Sequence, residues 1–197
     1  MTTGAALAGA AVAPKVLAAK SAATDYSESG SKKSAETHKF RLEKDGEMAV
    51  DNRGGYIRLT NQALFPILKG LTMYTVHLKK GGLREPHWHP NAHEINYVIT
   101  GKVKIGILSP DSSRETIELE PGDIGYIPMG YSHYIENVAD GESHVIVTFS
   151  NESPEDIGFS DALGAVPNEL LATTFGVPTK TFEPIPKFKK HILLAPQ

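Results

Sequence analysis

The chain has 197 residues and a formal net charge of −3, a length that suits one domain with a well-filled core. With 22% charged and 40% hydrophobic residues, the composition gives no sign of a nucleic-acid-binding surface. Cysteine is absent, which excludes a disulfide framework and a thiolate zinc site, so any transition metal must be held by nitrogen and oxygen ligands.

The first segment in chain order, residues 1–38, is expected to be an export-signal remnant followed by a flexible linker. Residues 1–20 are small and mostly apolar, and Pro14 with Lys15 prevents them from spanning a membrane. They resemble the part of a twin-arginine signal that follows the arginine pair, although the pair itself is absent. The alternative is an alanine-rich disordered tail. The segment therefore predicts a periplasmic or secreted protein, with a cytoplasmic location as the alternative.

Residues 39–197 predict a single all-β domain, because short apolar runs alternate with polar residues between glycines and prolines. The predicted strands cover residues 71–79, 95–100, 102–108, 115–120, 123–128, 133–138 and 143–150. Their spacing is typical of a sandwich or barrel. Two short helices should follow, with Ser160 as an N-cap, Pro167 opening the second helix and Gly176 closing it. Residues 178–197 contain four prolines and predict an extended arm that wraps back over the barrel.

The stretch from residue 82 to 94, GLREPHWHPNAHE, concentrates histidines in a chain that has eight in all. His87 and His89 are two apart, so both side chains leave the same face of a strand. The Pro-Asn pair that follows predicts a turn, which would bring Glu94 toward the same point. Far downstream, His133 follows a strand and turn punctuated by glycine and proline. We expect these four residues to be metal ligands; the alternative is a hydrogen-bonded polar cluster.

The spacing of these residues matches both parts of the cupin signature. The matching positions are Gly81, His87, His89, Glu94 and Gly101 in the first part, and Gly122, Pro128, Gly130, His133 and Asn137 in the second. The resemblance implies a double-stranded β-helix, or jelly-roll, barrel with one metal at its mouth. Three imidazoles and a carboxylate suit Mn²⁺, Fe²⁺, Co²⁺, Ni²⁺, Cu²⁺ or Zn²⁺, and an octahedral ion would keep two positions for a chelating substrate or dioxygen.

Longer segments between Gly54 and Gly176 resemble the oxalate decarboxylase branch of this family. The resemblance implies Mn²⁺ and the splitting of oxalate to formate and carbon dioxide, in a dioxygen-dependent but redox-neutral reaction. It also implies that Arg84 holds a substrate carboxylate, as an arginine fork can. The alternative for Arg84 is an ordinary surface or sheet-edge arginine.

Decarboxylation also needs an acid that protonates the one-carbon product. The family's lid glutamate corresponds here to residues 150–161, SNESPEDIGFSD, which offer Glu152 and Glu155 as catalytic acids. This loop is shorter than in the family's first domain and lacks its Ser-Glu-Asn run. Oxalate oxidase, another cupin dioxygenase and a non-catalytic germin-like or seed-storage-like protein therefore remain alternatives.

Two further expectations concern assembly and the other histidines. The decarboxylases resembled carry two cupin domains, whereas this chain carries one and, like the germins, is expected to form a homo-oligomer. His93 is expected to be a bystander beside Glu94. We assign no function to His77, His144 or His191, since single histidines are mostly packed or surface residues.

Overall fold

The computed structural model describes residues 38–187 and 194–196. The predicted export signal and nearly all of the predicted linker, together with His191, lie outside the described residues. No helix among the described residues is long and apolar enough to cross a membrane.

The described chain forms two antiparallel sheets and three short helices. In chain order the elements are α1 (Leu42–Asp45), β1 (Glu47–Asn52), β2 (Gly55–Leu59), β3 (Thr72–Leu78), β4 (Gly82–Trp88), β5 (Glu94–Thr100), β6 (Val103–Leu108), β7 (Arg114–Leu119), β8 (Ile124–Ile127), β9 (Ser132–Asn137), β10 (Ser143–Phe149), β11 (Ile157–Gly158), α2 (Phe159–Ala165), α3 (Asn168–Phe175), a 3₁₀ turn (Thr179–Thr181) and β12 (Leu194–Pro196).

The first sheet has the strand order β1-β2-β3-β10-β5-β8, and the second has the order β11-β4-β9-β6-β7, with β12 paired to β4. This arrangement confirms the predicted all-β jelly-roll class, although the described strands form two facing sheets rather than a closed barrel. All seven predicted strands are present, with each end unchanged or moved by one residue.

Alternation along the strands explains how the core forms between the sheets. Along β10, for example, Val145, Val147 and Phe149 are buried and point inward, while the residues between them are more exposed. The inward side chains of both sheets join one apolar cluster that includes Leu78 and Ile105. Each fully buried side chain of this size contributes about 1.5–3 kcal/mol to folding. A shift of one residue in strand pairing would expose these side chains, so their burial also determines the strand register.

The predicted N-cap at Ser160 is wrong. Helix α2 begins at Phe159 with Gly158 in the cap position, because Gly158 is still paired to β4 and the chain enters the helix directly from a strand. The backbone N–H of Ser160 instead donates to Oε2 of Glu85, 3.0 Å away. Helix α3 begins at Asn168, one residue after Pro167, and ends at Phe175; Gly176 caps it with a φ of 65°, the left-handed conformation that glycine adopts readily.

The described C-terminal residues return to the second sheet. β12 pairs with β4, where Leu194 lies opposite Arg84, and the Leu194 side chain is fully buried. Its carbonyl oxygen accepts a hydrogen bond of 3.0 Å from Asn52 Nδ2. The end of the chain therefore packs along the strand that carries the predicted site residues.

Candidate active site

The four predicted metal ligands come from both sheets. His87 lies near the end of β4 with His89 just beyond it, Glu94 opens β5, and His133 lies on β9. β4 and β9 are neighbours, and His87 is directly opposite His133 in their register. All four side chains are buried, as is expected when strands aim alternate residues inward.

The ligand atoms of these residues converge on one point. One atom from each side chain lies within 4.8 Å of the others. Glu94 Oε2 is 3.1 Å from His89 Nε2 and 3.0 Å from His133 Nε2. All three atoms are buried, and none of them has a hydrogen-bond partner of acceptable geometry. An unsatisfied buried polar atom costs about 1–3 kcal/mol, so three at one point fit a site that a cation would complete.

Backbone carbonyls hold each imidazole in position through its other nitrogen. The Nδ1 atoms of His87, His89 and His133 lie 2.8, 2.6 and 3.0 Å from the carbonyl oxygens of Glu85, Glu155 and Tyr131. Donation from Nδ1–H leaves the Nε2 lone pair of each ring directed at the shared point, which is the usual outer support of metal-bound histidine.

The carboxylate of Glu94 is supported in the same way. Its Oε1 atom accepts a hydrogen bond of 2.8 Å from Nδ2 of Asn96, which is fully buried. Since Asn96 lies two residues after Glu94 on β5, both side chains share the inward face. This leaves Oε2 as the atom presented to the site.

The electrostatic environment holds His87 and Glu94 in the protonation states that bind metal. Burial, and then the charge of Arg84, lowers the pKa of His87 well below its usual value, so this imidazole is neutral. Burial alone would raise the pKa of Glu94, but His133 and His89 hold it well below its usual value. The pKa of His89 is raised above its usual value, because the contact with Glu94 outweighs the lowering effect of burial. A neutral imidazole at His87 and an ionised carboxylate at Glu94 fit a divalent transition metal, whose binding would displace the proton that Glu94 favours on His89.

The ligands open into a cavity of about 350 Å³. Apolar side chains such as Ile57, Val76 and Phe149 form much of its wall, and Arg84 lies in the same wall. Arg84 is only 4% exposed, which contradicts the alternative of an ordinary surface arginine. A cavity that carries a few polar groups on an apolar wall is typical of a small-molecule site.

Asp156 is a site residue that the sequence analysis missed. Its Oδ2 forms an ion pair with Nη2 of Arg84, and its carboxylate lines the cavity. Tyr74 lies in the same wall, and burial, together with the charge of Asp156, raises its pKa, so it stays neutral. Alternation offered a signal, because in the extended segment Pro154 and Asp156 line the cavity while Glu155 between them is exposed.

Glu152 and Glu155, the two predicted catalytic acids, lie outside the cavity wall, whereas Arg84 is part of it. The carboxylate of Glu155 is exposed, but its backbone carbonyl accepts the hydrogen bond from His89. Glu152 Oε2 accepts a hydrogen bond of 2.8 Å from the backbone N–H of Gly70, and hydrogen bonds from backbone N–H groups lower its pKa. Neither carboxylate lies in the cavity wall, and both remain predictions as catalytic acids.

Residues 40–182 match the family model described as Cupin. The chain is 30% identical over 158 residues to a probable oxalate decarboxylase of Arthroderma benhamiae, an alignment that covers 80% of this chain and 39% of the relative. It is 33% identical over 127 residues to germin-like protein subfamily T member 3 of Arabidopsis thaliana, which covers 61% and 56% of the two chains.

Among solved structures, one of Bacillus subtilis oxalate decarboxylase, from work on its Mn(II) centres, matches with a TM-score of 0.70 and 25% identity. The match covers 79% of this chain and 40% of that one. This chain therefore spans about two fifths of the length of the oxalate decarboxylases it matches.

Proposed function

This chain belongs to the cupin family, and we propose that it is a Mn²⁺-dependent enzyme that acts on a small carboxylate, converting oxalate to formate and carbon dioxide. One observation carries the proposal. Three of the four converging ligands, His87, His89 and Glu94, line the same cavity as a buried arginine, and that arginine already binds a carboxylate, the one of Asp156. A dicarboxylate substrate would replace Asp156 at Arg84 and place its other carboxylate toward the ligand centre in the same cavity.

The residues of this chain would bind and position the substrate. Arg84 would hold one carboxylate in charge-assisted hydrogen bonds and offset its negative charge. The apolar wall would exclude water, which strengthens both interactions. Mn²⁺ held by His87, His89, Glu94 and His133 would supply Lewis acidity toward the bound carboxylate; Fe²⁺, Co²⁺, Ni²⁺, Cu²⁺ and Zn²⁺ are the alternatives that the same ligands allow.

The reaction breaks the bond between the two carbons and adds one proton, so that oxalate dianion and H⁺ give formate and carbon dioxide. We propose Glu155 as the proton donor ahead of Glu152, because hydrogen bonds from backbone N–H groups stabilise the ionised form of Glu152. The backbone of Glu155 already contacts His89, but its side chain projects away from the cavity that Pro154 and Asp156 line, so the segment would have to change conformation to bring the carboxylate inward.

The exposed position of Glu155 favours a second candidate, an oxalate oxidase or another dioxygenase. Oxidation of the oxalate dianion by dioxygen, with two protons, gives two molecules of carbon dioxide and one of hydrogen peroxide, and it leaves no one-carbon fragment to protonate at carbon. The germin-like relatives support a third candidate, a metal-binding protein without turnover.

One experiment separates these candidates. Purified full-length protein, loaded with Mn²⁺, is incubated with oxalate at mildly acid pH while formate, peroxide and bound metal are measured. Formate without peroxide supports the decarboxylase, and peroxide without formate supports the oxidase. Retention of metal with neither product would reject both. Glu155→Gln should lose formate production and keep its metal, whereas Glu115→Gln, which alters an exposed acid on β7, is the matched control.

We further propose that the chain forms a homo-oligomer through the outer face of β5 and β8. Ile95, Tyr97, Ile124 and Tyr126 are exposed there and pair across the two strands, Ile95 with Tyr126 and Tyr97 with Ile124. β8 is also the edge of the first sheet. A contiguous apolar patch at a sheet edge is typical of a protein interface. Periplasmic or secreted localisation stays a prediction from the sequence.

A further inference from the structure

A second group of metal-ligating side chains lies on the outer face of the first sheet. His77 on β3 and His144 on β10 are directly opposite each other in the strand register. Their inward neighbours Val76 and Val145 are buried in the core, so the two imidazoles point away from the cavity. Helix α1 adds Glu43 above them. We call Glu43, His77 and His144 the outer cluster.

The donor atoms of the outer cluster stand at distances that suit one ion. Glu43 Oε1 is 3.1 Å from Nε2 of His77 and 3.7 Å from Nε2 of His144. The two imidazole rings stack with centroids 4.0 Å apart and planes 17° apart. Tetrahedral Zn²⁺, with bonds of about 2.0–2.1 Å, needs neighbouring ligand atoms about 3.3 Å apart, which lies between the two measured distances.

A second carboxylate orients His77 as metal-bound histidines are oriented elsewhere. Glu142 Oε1 lies 2.9 Å from Nδ1 of His77, so in the tautomer that donates from Nδ1 the lone pair of Nε2 faces Glu43. Carboxylate–histidine–metal arrangements of this kind fix the tautomer and raise the basicity of the ligand. The two carboxylates, Glu43 and Glu142, also place negative charge beside the imidazoles, which attracts a cation.

The hydroxyl of Thr75 bridges the outer cluster, 2.6 Å from Glu43 Oε1 and 2.8 Å from His144 Nε2. Because a bound ion has to displace these hydrogen bonds, we expect the outer cluster to bind metal more weakly than the buried centre does. The Glu43 side chain is 51% exposed, so an ion can enter directly from solvent and a water molecule can fill the remaining position. Burial, together with the charge of His77, lowers the pKa of His144, which keeps its imidazole in the neutral form that binds metal.

We propose that Glu43, His77 and His144 form a second, exchangeable site for a divalent transition metal, with Zn²⁺ as the best match to two imidazoles and one carboxylate. This site is separate from the centre formed by His87, His89, Glu94 and His133 and does not depend on the proposed reaction.

Metal stoichiometry tests the proposal. Full-length protein is titrated with Zn²⁺ against a chromophoric chelator, and the bound metal is then measured after gel filtration in buffer that contains free Zn²⁺. The wild type should bind two ions per chain, and His144→Ala should bind one. His133→Ala should retain the weaker ion. Glu43→Gln changes only an exposed side chain and should weaken that second ion by about tenfold or more.

The matched control is His93→Ala, because His93 is an exposed histidine outside both groups and its removal should leave two ions bound. A wild type that binds one ion in excess Zn²⁺ would overturn the proposal. So would a second ion whose affinity is unchanged in both Glu43→Gln and His144→Ala.

Discussion

Replacing Asn137 by alanine should destabilise the fold strongly without touching a metal ligand. Asn137 ends β9 and is 4% exposed. Its Nδ2 lies 2.8, 2.9 and 2.7 Å from the carbonyl oxygens of Leu78, Lys79 and Gly141. Its Oδ1 accepts hydrogen bonds of 2.9 Å from Ala139 N and 2.7 Å from Ser143 Oγ.

The size of the effect follows from these contacts. The amide has two hydrogens for three carbonyls, so about four full hydrogen bonds are lost, at about 0.5–1.5 kcal/mol each. We expect the free energy of unfolding to fall by about 3–4 kcal/mol. For a domain of this size each kcal/mol lowers Tm by about 2–4 °C, so Tm should fall by roughly 10 °C.

Urea unfolding and thermal melting of the metal-free protein measure this change. Asn137→Asp is an informative partner because it keeps the two accepting contacts and loses the donors, so its effect should be at least half as large. A loss below about 1 kcal/mol in Asn137→Ala would refute the reasoning. At low temperature, where the variant is still folded, metal content should equal that of the wild type, since His133 lies four residues away and keeps its own support from Tyr131.

The remaining predictions concern the metal centre and cavity. Glu94→Gln should lose the only carboxylate ligand of the buried centre and release Mn²⁺ on dialysis, as measured by metal analysis; equal Mn²⁺ content would contradict the assigned ligand set. Asp156→Asn should bind oxalate about tenfold or more tightly by calorimetry, since substrate no longer competes with a charged partner at Arg84; weaker binding would mean that Asp156 instead positions Arg84. In the metal-free protein, the lowered pKa of His87 contributes stability at a pH above about 6.5, the pKa of histidine in the unfolded chain, and this contribution is lost as the pH falls. The lowered pKa of Glu94 likewise contributes stability that is lost as the pH falls below about 4.3. The raised pKa of His89 acts oppositely, so the comparison is made in His89→Ala, whose stability in urea should fall on acidification below about 6.5; a rise would contradict the assignment to His87.

Sequence periodicity predicted the strands because each has one buried face. Residues 71–79 were expected to alternate, and β3 does so with Val76 and Leu78 inward. The converging positions of His87, His89, Glu94 and His133 could be predicted because their spacing matches a known pattern. Ser160 was misassigned because the preceding two-residue strand, β11, depends on pairing with β4, which no local pattern reveals.

The pairing of Arg84 with Asp156 and the outer cluster share another reason for being missed. Arg84 and Asp156 are 72 positions apart, and Glu43 meets His77 only because α1 folds over β3. Such contacts depend on the three-dimensional arrangement of distant segments, so residue type and spacing do not predict them. The alternation of Pro154, Glu155 and Asp156 could have indicated which acid faces inward, once the segment was read as extended.

The division of the buried ligands between the two sheets bears on how the protein comes apart. Glu94 belongs to the first sheet, whereas His87 and His133 belong to the second. An ion held by all of these residues would link the two sheets across the core. Disulfides provide such links in many exported proteins, but this chain has no cysteine to form one. Separation of the sheets would then require rupture of metal–ligand bonds, so metal loading should slow the rate of unfolding and protect the chain against proteolysis.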